Sequence, residues 1–518
     1  MNMHDRRTLP PRTPKRNPSR CLPSQPIVVV PNRPASYTQP NPMIDSRTTS
    51  RACAAGLALV LVAQHRPAQA QSYDAVGQDV RPGDGIPVGE WTFRPSIELR
   101  THGEYRRRPF DTASPATTDA AVPDPVQDQG FLFARTRVGL TADQGAFRLA
   151  VQIQDTRAWG EVPPWRVDRR DSQPNTAPHV AYGELHTPGD HPSSLRVGRQ
   201  EITWGEGRLL SSSDWSATGR SFDAARGLLV VGAFDIDAFA SMLTPPGATP
   251  PDLRRDGQGR PEGTGAQLYG LRIAWHLSPL LLAEWNNLGR IVRNPVDGTV
   301  APSDLGLTGL RLSGGFERVT WSAEGAYEVG RTAIVGSTEN LRAFAAAARI
   351  ELSTGLPGRL SVGVQGAYAS GRKDDGATAS GDDTRFDPLF PDVHDAHGPM
   401  GLYAWSNVIE AAAQLRMTPL DEVRVTLGWR YVAMAEPSDW WRTAALVPIG
   451  RSGENTNRNL GQEVDATIGY TPWEPLRIVA GYGLFRTGEG AKNILASAGR
   501  GRPDMQHCGY LQLTMHAP

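Results

Sequence analysis

The sequence predicts an all-β protein, a transmembrane antiparallel β-barrel of about 16 to 18 strands, and three observations support this fold class. Hydrophobic residues make up only 39% of the 518 residues, and they recur at every second position over segments of about ten residues, as in strands with one face toward lipid. After one short N-terminal apolar run, no long apolar run follows, so no transmembrane helix is expected. An exported chain of roughly 450 residues, at about 25 residues per strand and its share of connections, gives this strand number.

The N-terminal region predicts export. Residues 1–42 are rich in proline and arginine and have no periodic pattern, so we predict a disordered leader, with Met43 as the true start of the translated chain. Residues 43–70 have the features of a secretory signal peptide: two arginines precede an apolar core at Ala52–Ala63, and small residues follow it. Cleavage near Ala70 would send the mature chain to the outer membrane of a Gram-negative bacterium.

The mature chain is predicted to consist of a short N-terminal segment, residues 71–90, and a barrel over residues 91–518. The segment is too short to form the plug domain of a ligand-gated transporter. Residues 409–431 illustrate the strands: apolar side chains alternate with glutamate, glutamine and arginine on both sides of a short turn at Thr418–Asp421. Such turns are typical of the periplasmic end of a barrel, and longer loops such as Gly371–Gly398 are typical of its extracellular end.

Arginine supplies nearly all of the positive charge, and the 54 basic residues balance the 54 acidic ones. The net charge of zero gives no support for a nucleic-acid partner. An arginine facing lipid near the bilayer midplane costs roughly 2–4 kcal/mol, so arginines on the polar faces of strands are predicted to point into the lumen. These are Arg135, Arg137, Arg272, Arg416, Arg424 and Arg430. They would concentrate anions; a balanced charge ladder inside a non-specific porin is the alternative.

Three blocks of the sequence carry a resemblance to a known family: Ala134–Glu161, Leu195–Arg226 and Asn459–Gly490. In these blocks the chain resembles the alginate export family of outer-membrane β-barrels. The resemblance implies a barrel of about 18 strands with short periplasmic turns and longer extracellular loops, no enzymatic activity, and a channel that conducts anionic or carboxylated solutes or a polysaccharide. A general porin for the uptake of small carboxylated or hydrophobic substrates is the alternative. The sequence does not choose between export and uptake.

The resemblance also implies a set of residues that line the lumen. The motif arginines are Arg135, Arg137, Arg157, Arg199 and Arg208, and their acidic counterparts are Asp155, Glu201, Glu463 and Asp465. Four of these, Asp155, Arg157, Arg199 and Glu201, share strand parity with apolar neighbours. Their inward placement therefore requires a bulge or a strand end beyond the lipid, and a bulge at Gly198 would turn Arg199 and Glu201 inward.

Other functions find less support in the sequence. Ser211–Ser213 has no neighbouring histidine and no nucleophile-elbow motif, so neither catalytic residues nor enzymatic activity are predicted. Asp392–His397 is interpreted as a solvated extracellular loop in preference to a metal site, and no metal or other cofactor is predicted. Asp214–Trp215 is interpreted as a girdle position or loop anchor in preference to a platform for stacking sugars. A surface-attached β-rich binding protein without a pore is the alternative from another class.

The predicted environment suggests the partners of the chain. They are outer-membrane lipid and lipopolysaccharide, the outer-membrane assembly machinery, and periplasmic components of polysaccharide export.

Overall fold

The structure, a computed structural model, describes residues 85–107, 128–160, 176–188, 193–243, 266–292, 303–334, 337–372, 382–394 and 396–517. The predicted leader, the signal peptide and most of the segment 71–90 lie outside these residues. In the described part of the chain, no helix is both long enough and apolar enough to cross a membrane.

Twenty-one strands and one helix lie among the described residues. In chain order they are β1 (Ile86–Val88), β2 (Trp91–Arg107), β3 (Gln129–Gln144), β4 (Phe147–Gly160), β5 (Thr176–His186), β6 (Ser194–Gln200), β7 (Phe222–Val231), β8 (Phe234–Met242), β9 (Gln267–Ser278), β10 (Leu281–Val292), β11 (Ser303–Phe316), β12 (Val319–Ile334), β13 (Ser337–Ser353), β14 (Ser361–Ala369), β15 (Val408–Leu420), β16 (Val423–Ala433), β17 (Trp441–Arg442), β18 (Pro448–Gly450), β19 (Asn459–Trp473), β20 (Leu476–Thr487), α1 (Glu489–Ser497) and β21 (Met505–Ala517).

Eighteen of these strands, β2–β16 and β19–β21, form one closed antiparallel barrel, which confirms the predicted fold class. Each strand pairs with its neighbours in chain order, and β2 pairs with β21 from Ile97↔Ala517 onward to close the barrel. The short strand β1 pairs with the first residues of β2, beyond the end of β21. The first barrel strand begins at Trp91, where the sequence places it.

Exposed and buried side chains alternate along the strands. In β2, Leu99 is exposed on the outer face and Arg100 is buried on the inner face; in β10, Trp285 is exposed and Glu284 is buried. Because lipid cannot solvate charge, the apolar residues form the outer belt and most charged residues of the strands face the lumen.

The two ends of the barrel differ in the length of their connections. One end has short turns such as Gly145–Ala146 and Asp421–Glu422. The second of these lies at the far end of the predicted turn Thr418–Asp421, because β15 continues to Leu420 through a register irregularity. We call this the short-turn end, and the opposite end, where the long connections start, the long-loop end.

Long connections at the long-loop end fold into the barrel, and two of them meet there. We call residues 201–221, between β6 and β7, the first inner loop, and the described residues of 382–407, before β15, the second inner loop. They meet at a parallel bridge between Leu210 and Phe390, both of which are buried. The interpretation of Asp392–His397 as a solvated loop is therefore wrong, because apolar and charged contacts inside the lumen stabilise this segment more than solvation does.

The bulge at Gly198 that inward placement of Arg199 would require is not found. Gly198 pairs with Tyr182 on one side and Ala224 on the other in an uninterrupted register. Its backbone φ of +130° is nevertheless one that residues other than glycine rarely adopt. A Cβ at this position would lie 2.3 Å from the carbonyl oxygen of Ala181. Glycine here therefore permits close approach of two backbones and does not reverse the strand faces.

Gly198→Ala is expected to destabilise the barrel by roughly 1–3 kcal/mol, the usual cost of a strained backbone, because the neighbouring carbonyl is part of the sheet and cannot move aside. The measurement is the temperature at which the folded barrel loses its compact, heat-modifiable migration on a gel. Gly227→Ala in β7 is the matched control, since a Cβ there meets no atom within 4 Å. Equal transition temperatures for the two variants would contradict the prediction.

Candidate functional site in the barrel lumen

Asp214 of the first inner loop binds three arginines of the barrel wall. Its carboxylate oxygens lie 2.6 Å from Nη2 of Arg100, 3.0 Å from Nη1 of Arg135 and 2.8 Å from Nη1 of Arg137. Its backbone carbonyl accepts further hydrogen bonds from Arg100 and Arg135, at 2.6 and 3.2 Å. All three arginines are buried. Asp214 thus joins the first inner loop to both β2 and β3.

The cluster around Asp214 is balanced in charge. Glu98 lies 2.6 Å from Nη2 of Arg135, and Glu201 lies 3.9 Å from Nη1 of Arg137, so three carboxylates face three guanidinium groups. Burial alone would raise the pKa of Asp214, but the three arginines hold this pKa well below its ordinary value. Asp214 therefore stays ionised over the whole physiological pH range.

Glu201 lies inside the barrel without a bulge, because β6 ends at Gln200 and the chain then turns into the lumen. Its Oε1 lies 2.7 Å from Nε2 of His179. Ser221, at the other end of the first inner loop, places Oγ 3.2 Å from Nδ1 of the same ring. Ser221 and His179 are fully buried, so this group ties the two ends of the loop to β5 and offers no access to a substrate.

Arg208, also in the first inner loop, lies where the sequence predicts a lumen arginine. It is buried, 2.9 Å from Glu206 and 3.5 Å from Glu324 of β12. Arg311 of β11 binds Glu206 from the other side, at 3.2 Å. Burial favours the neutral form of Glu206, yet Arg208 and Arg311 lower its pKa to about 2. Arg208 thus belongs to a second ion cluster that holds the first inner loop. This cluster involves β11 and β12, which lie about halfway around the barrel from β2 and β3.

The predicted strand arginines occupy inward positions. Arg272 lies 2.5 Å from Glu284, and Arg416 lies 2.9 Å from Glu351. Arg430 binds Asp465 and lies 3.8 Å from Glu463. Arg424 shares the inward parity of Arg430 and is exposed near the short-turn end of β16. The structure thus places Glu463 and Asp465 beside a lumen arginine, as the resemblance implies.

Three residues assigned to the lumen lie on the outer face instead. Arg157 pairs with Asp155 at 2.8 Å near the long-loop end of β4, in line with the exposed residues Val151 and Ile153. Arg199 pairs with Asp223 at 2.8 Å. The pore-lining assignment of Asp155, Arg157 and Arg199 is therefore corrected: the strands keep their register, and each arginine finds a carboxylate outside the lumen.

Several lumen residues were missed by the sequence reasoning. Glu98 and Arg100 alternate with Ile97 and Leu99 in β2, so the same period-two pattern that identified Arg135 was sufficient to find them. Arg349 of β13 was missed in the same way. The partnership of Arg100 with Asp214 had no local signal, because the two residues lie 114 positions apart in the chain.

Two cavities remain between the inner loops and the wall. The cavity nearer the long-loop end, which we call the upper cavity, has an empty volume of about 740 Å³. Its lining includes Arg100, His102, Glu104, Phe133, Arg135 and Trp215. The cavity nearer the short-turn end, which we call the lower cavity, has an empty volume of about 700 Å³. Its lining includes Arg349, Gln365, His394, Arg416, Arg430 and Asp465. Together the two linings contain five arginines and two carboxylates.

Trp215 lies inside the barrel and not at the membrane interface. Of the two interpretations of Asp214–Trp215, loop anchor therefore fits the structure and girdle position does not. The ring of Trp215 stacks on His394 of the second inner loop, with centroids 3.5 Å apart and planes at 5°. Burial and, to a lesser degree, His102 lower the pKa of His394 to about 3, so its ring is neutral at physiological pH. In the described part of the chain, no group of three His, Cys, Asp or Glu residues is placed to hold a metal ion.

A closed barrel with an apolar outer belt and a charged lumen defines an outer-membrane channel for solutes, and the protein is of this class. Comparison with family models then identifies the family. The model described as "Alginate export" matches residues 97–502, so the chain belongs to the alginate export family. A search among curated proteins finds no match.

Two solved structures share the fold. OccAB1 of Acinetobacter baumannii has a TM-score of 0.51 and 12% identity, over 82% of this chain and 96% of that chain. OccAB2 of the same organism has a TM-score of 0.50 and 12% identity, over 82% and 98%. At these identities the likeness shows the fold alone.

In outer-membrane barrels the short turns face the periplasm, so the upper cavity lies toward the outside and the lower one toward the periplasm.

Proposed function

We propose that the channel prefers anions and conducts carboxylated solutes or an anionic polysaccharide. The observation that carries this proposal is the lining of the free space, where five arginines face two carboxylates. Guanidinium groups keep their charge at every physiological pH. A narrow space lined with excess positive charge attracts anions and lowers the barrier to their passage.

The pairing of the lumen arginines supports this role. Glu351 lies 2.9 Å from both Arg349 and Arg416, yet it is not part of the cavity lining, whereas both arginines are. The carboxylate of Glu351 lies nearer the short-turn end of β13 than Arg349, and it orients both guanidinium groups while both arginines line the lower cavity. Weak, repeated sites of this kind favour passage over trapping. The family description, alginate export, supports a carboxylated polysaccharide as the class of substrate.

The test is the reversal potential of the purified channel in a planar bilayer under a KCl gradient. The parent is expected to favour chloride, and the double variant Arg349→Ala, Arg416→Ala should lower the chloride-to-potassium permeability ratio several-fold, on the scale expected for the loss of two lining charges. Arg135 and Arg137 are less suitable, because they also hold Asp214 in place.

The controls are Arg157→Ala and Arg199→Ala, which remove the same charge from the outer face. Both should keep the parental permeability ratio. Cation preference in the parent, or an equal change in the inner and outer variants, would contradict the proposal.

We infer that the protein is a passive channel and catalyses no reaction. The closest arrangement to a hydrolase triad among the described residues, Ser221, His179 and Glu201, has its serine and histidine sealed from solvent. A nucleophile needs contact with the bond that it attacks. The inferred role of this group is to hold the first inner loop.

A further inference from the structure

The two cavities lie at different depths in the barrel. Arg100 and Glu104 of the upper cavity lie beyond the middle of β2, counted from its short-turn end at Trp91. Arg349 and Arg416 of the lower cavity lie close to the short-turn ends of β13 and β15. At roughly 3.3 Å per residue, the arginines of the upper cavity and those of the lower cavity are separated along the strand direction by on the order of 15 Å.

The Trp215–His394 stack stands between the two cavities. Trp215 lines the upper cavity and His394 lines the lower one. Their rings are in face-to-face contact, with centroids 3.5 Å apart. Trp215 also meets Tyr510 of β21 and His102 of β2 edge-on, at 5.2 and 5.1 Å. A solute that moves from one cavity to the other by this route must separate or displace the two rings.

Each ring belongs to a different inner loop. Trp215 follows Asp214, whose carboxylate is held by Arg100, Arg135 and Arg137. His394 donates its backbone N–H to Asp392 at 2.8 Å, and the N–H of Asp392 in turn is bonded to the carbonyl of Gly207 in the first inner loop, at 2.8 Å. The backbone on both sides of the stack is thus held in place by polar contacts, and the two rings pack face to face between them.

We propose that the Trp215–His394 stack is the gate of this channel and that carboxylate solutes open it by competing with Asp214 for the wall arginines. The second half of this proposal rests on the proposed anion preference, and the first half does not. Arg100 and Arg135 both bind Asp214 and line the upper cavity. A carboxylate arriving from that cavity is a chemical equivalent of the Asp214 side chain, with the same bidentate acceptor geometry.

The coupling follows from covalent connection. Asp214 and Trp215 are adjacent in the chain, so movement of the Asp214 carboxylate away from the arginines shifts the backbone that carries the tryptophan ring. Asp214 thereby acts as an internal stand-in for the substrate while the channel is closed. When Asp214 leaves, the carboxylate of the substrate takes its place as the partner of the wall arginines. Opening of the gate is therefore linked to occupancy of the arginines by substrate.

The gate is tested by single-channel recording in KCl without added solute. Trp215→Ala and, independently, His394→Ala should raise the ratio of open to closed time by up to about tenfold, as expected from the loss of one stacked aromatic pair. Trp215→Phe keeps a ring and should behave as the parent. Trp159→Ala removes an exposed tryptophan from the outer face and is the matched control. Heat-modifiable migration verifies that each variant is folded.

The coupling is tested by adding sodium glucuronate to the extracellular side, with glucose as the uncharged control of similar size. Glucuronate should increase the open time of the parent several-fold and leave the open Trp215→Ala variant unchanged, whereas glucose should affect neither. Parental gating in both Trp215→Ala and His394→Ala would overturn the gate. Equal effects of glucuronate and glucose would overturn the coupling. The permeability ratios of the arginine variants report on the anion preference separately, so its failure would leave the gating result readable.

Discussion

Asp214→Asn is expected to release the first inner loop from β2 and β3. Asparagine keeps the shape of the side chain, but its NH₂ group must then face one of the guanidinium groups of Arg100, Arg135 or Arg137. Breaking a buried ion pair by removing one partner costs roughly 3 kcal/mol or more, because the remaining charges stay buried without compensation. This is the largest effect that we expect from a substitution that adds or removes no heavy atom.

The release is measured by limited proteolysis of the folded barrel, with the cleavage sites mapped by mass spectrometry. Cleavage within residues 201–221 should accelerate on the order of 100-fold, which corresponds to the lost free energy if cleavage follows transient opening of the loop. Asp223→Asn is the control: it breaks the outer-face pair with Arg199, at the border of the same segment, and should leave the cleavage rate near that of the parent. A protected loop in Asp214→Asn would show that other contacts suffice to hold it.

Arg220→Ala is expected to separate the two inner loops. Nη1 of Arg220 lies 2.8 Å from the carbonyl oxygen of Ser211 in its own loop and 2.9 Å from that of Phe390 in the second loop. The guanidinium group also packs 5.5 Å from the centre of the Phe390 ring. Nη1 also lies 3.2 Å from the carbonyl oxygen of Pro391. The variant takes this donor from the carbonyls of Ser211 and Pro391, at about 1–3 kcal/mol for each buried carbonyl left without a donor, whereas the carbonyl of Phe390 keeps the backbone N–H of Ser211. The variant should therefore expose both inner loops to protease.

The control for this variant is Arg342→Ala, which also removes an arginine in contact with the second inner loop. Arg342 is exposed and lies 3.6 Å from Asp382, so its loss should cost little. Cleavage within residues 382–394 should be faster in Arg220→Ala than in Arg342→Ala by at least tenfold, the factor that about 1.4 kcal/mol gives. Comparable cleavage of the two variants would contradict the proposed joint between the loops.

The barrel could be predicted from the sequence because its rule is local. A strand in a membrane must place apolar and polar side chains on opposite faces, so the inward direction of Arg135 and Arg430 follows from their nearest neighbours in the chain. The same rule contradicted the resemblance at Arg157 and Arg199, and the structure agrees with the rule. Within the strands, where parity and motif disagreed, parity gave the correct face; Glu201 follows the end of β6 and lies in the lumen, as the motif implied.

The inner loops could not be predicted, because their position depends on distant partners. Asp214 lies 114 residues from Arg100 in the chain, and Arg220 lies 170 residues from Phe390. No period in the sequence connects such positions. The polar composition of Asp392–His397 suggested solvent for the same reason: the charges and rings that surround it are supplied by other parts of the chain.

The position of Trp215 also has a consequence for the order of folding. Its ring contacts His102 of β2 and Tyr510 of β21, the first and last strands of the barrel circle. Those strands join residues more than four hundred positions apart, and contacts of such long range form late. The contacts of Trp215 with both strands are therefore complete only once the seam between β2 and β21 has formed, which makes them a late step of assembly.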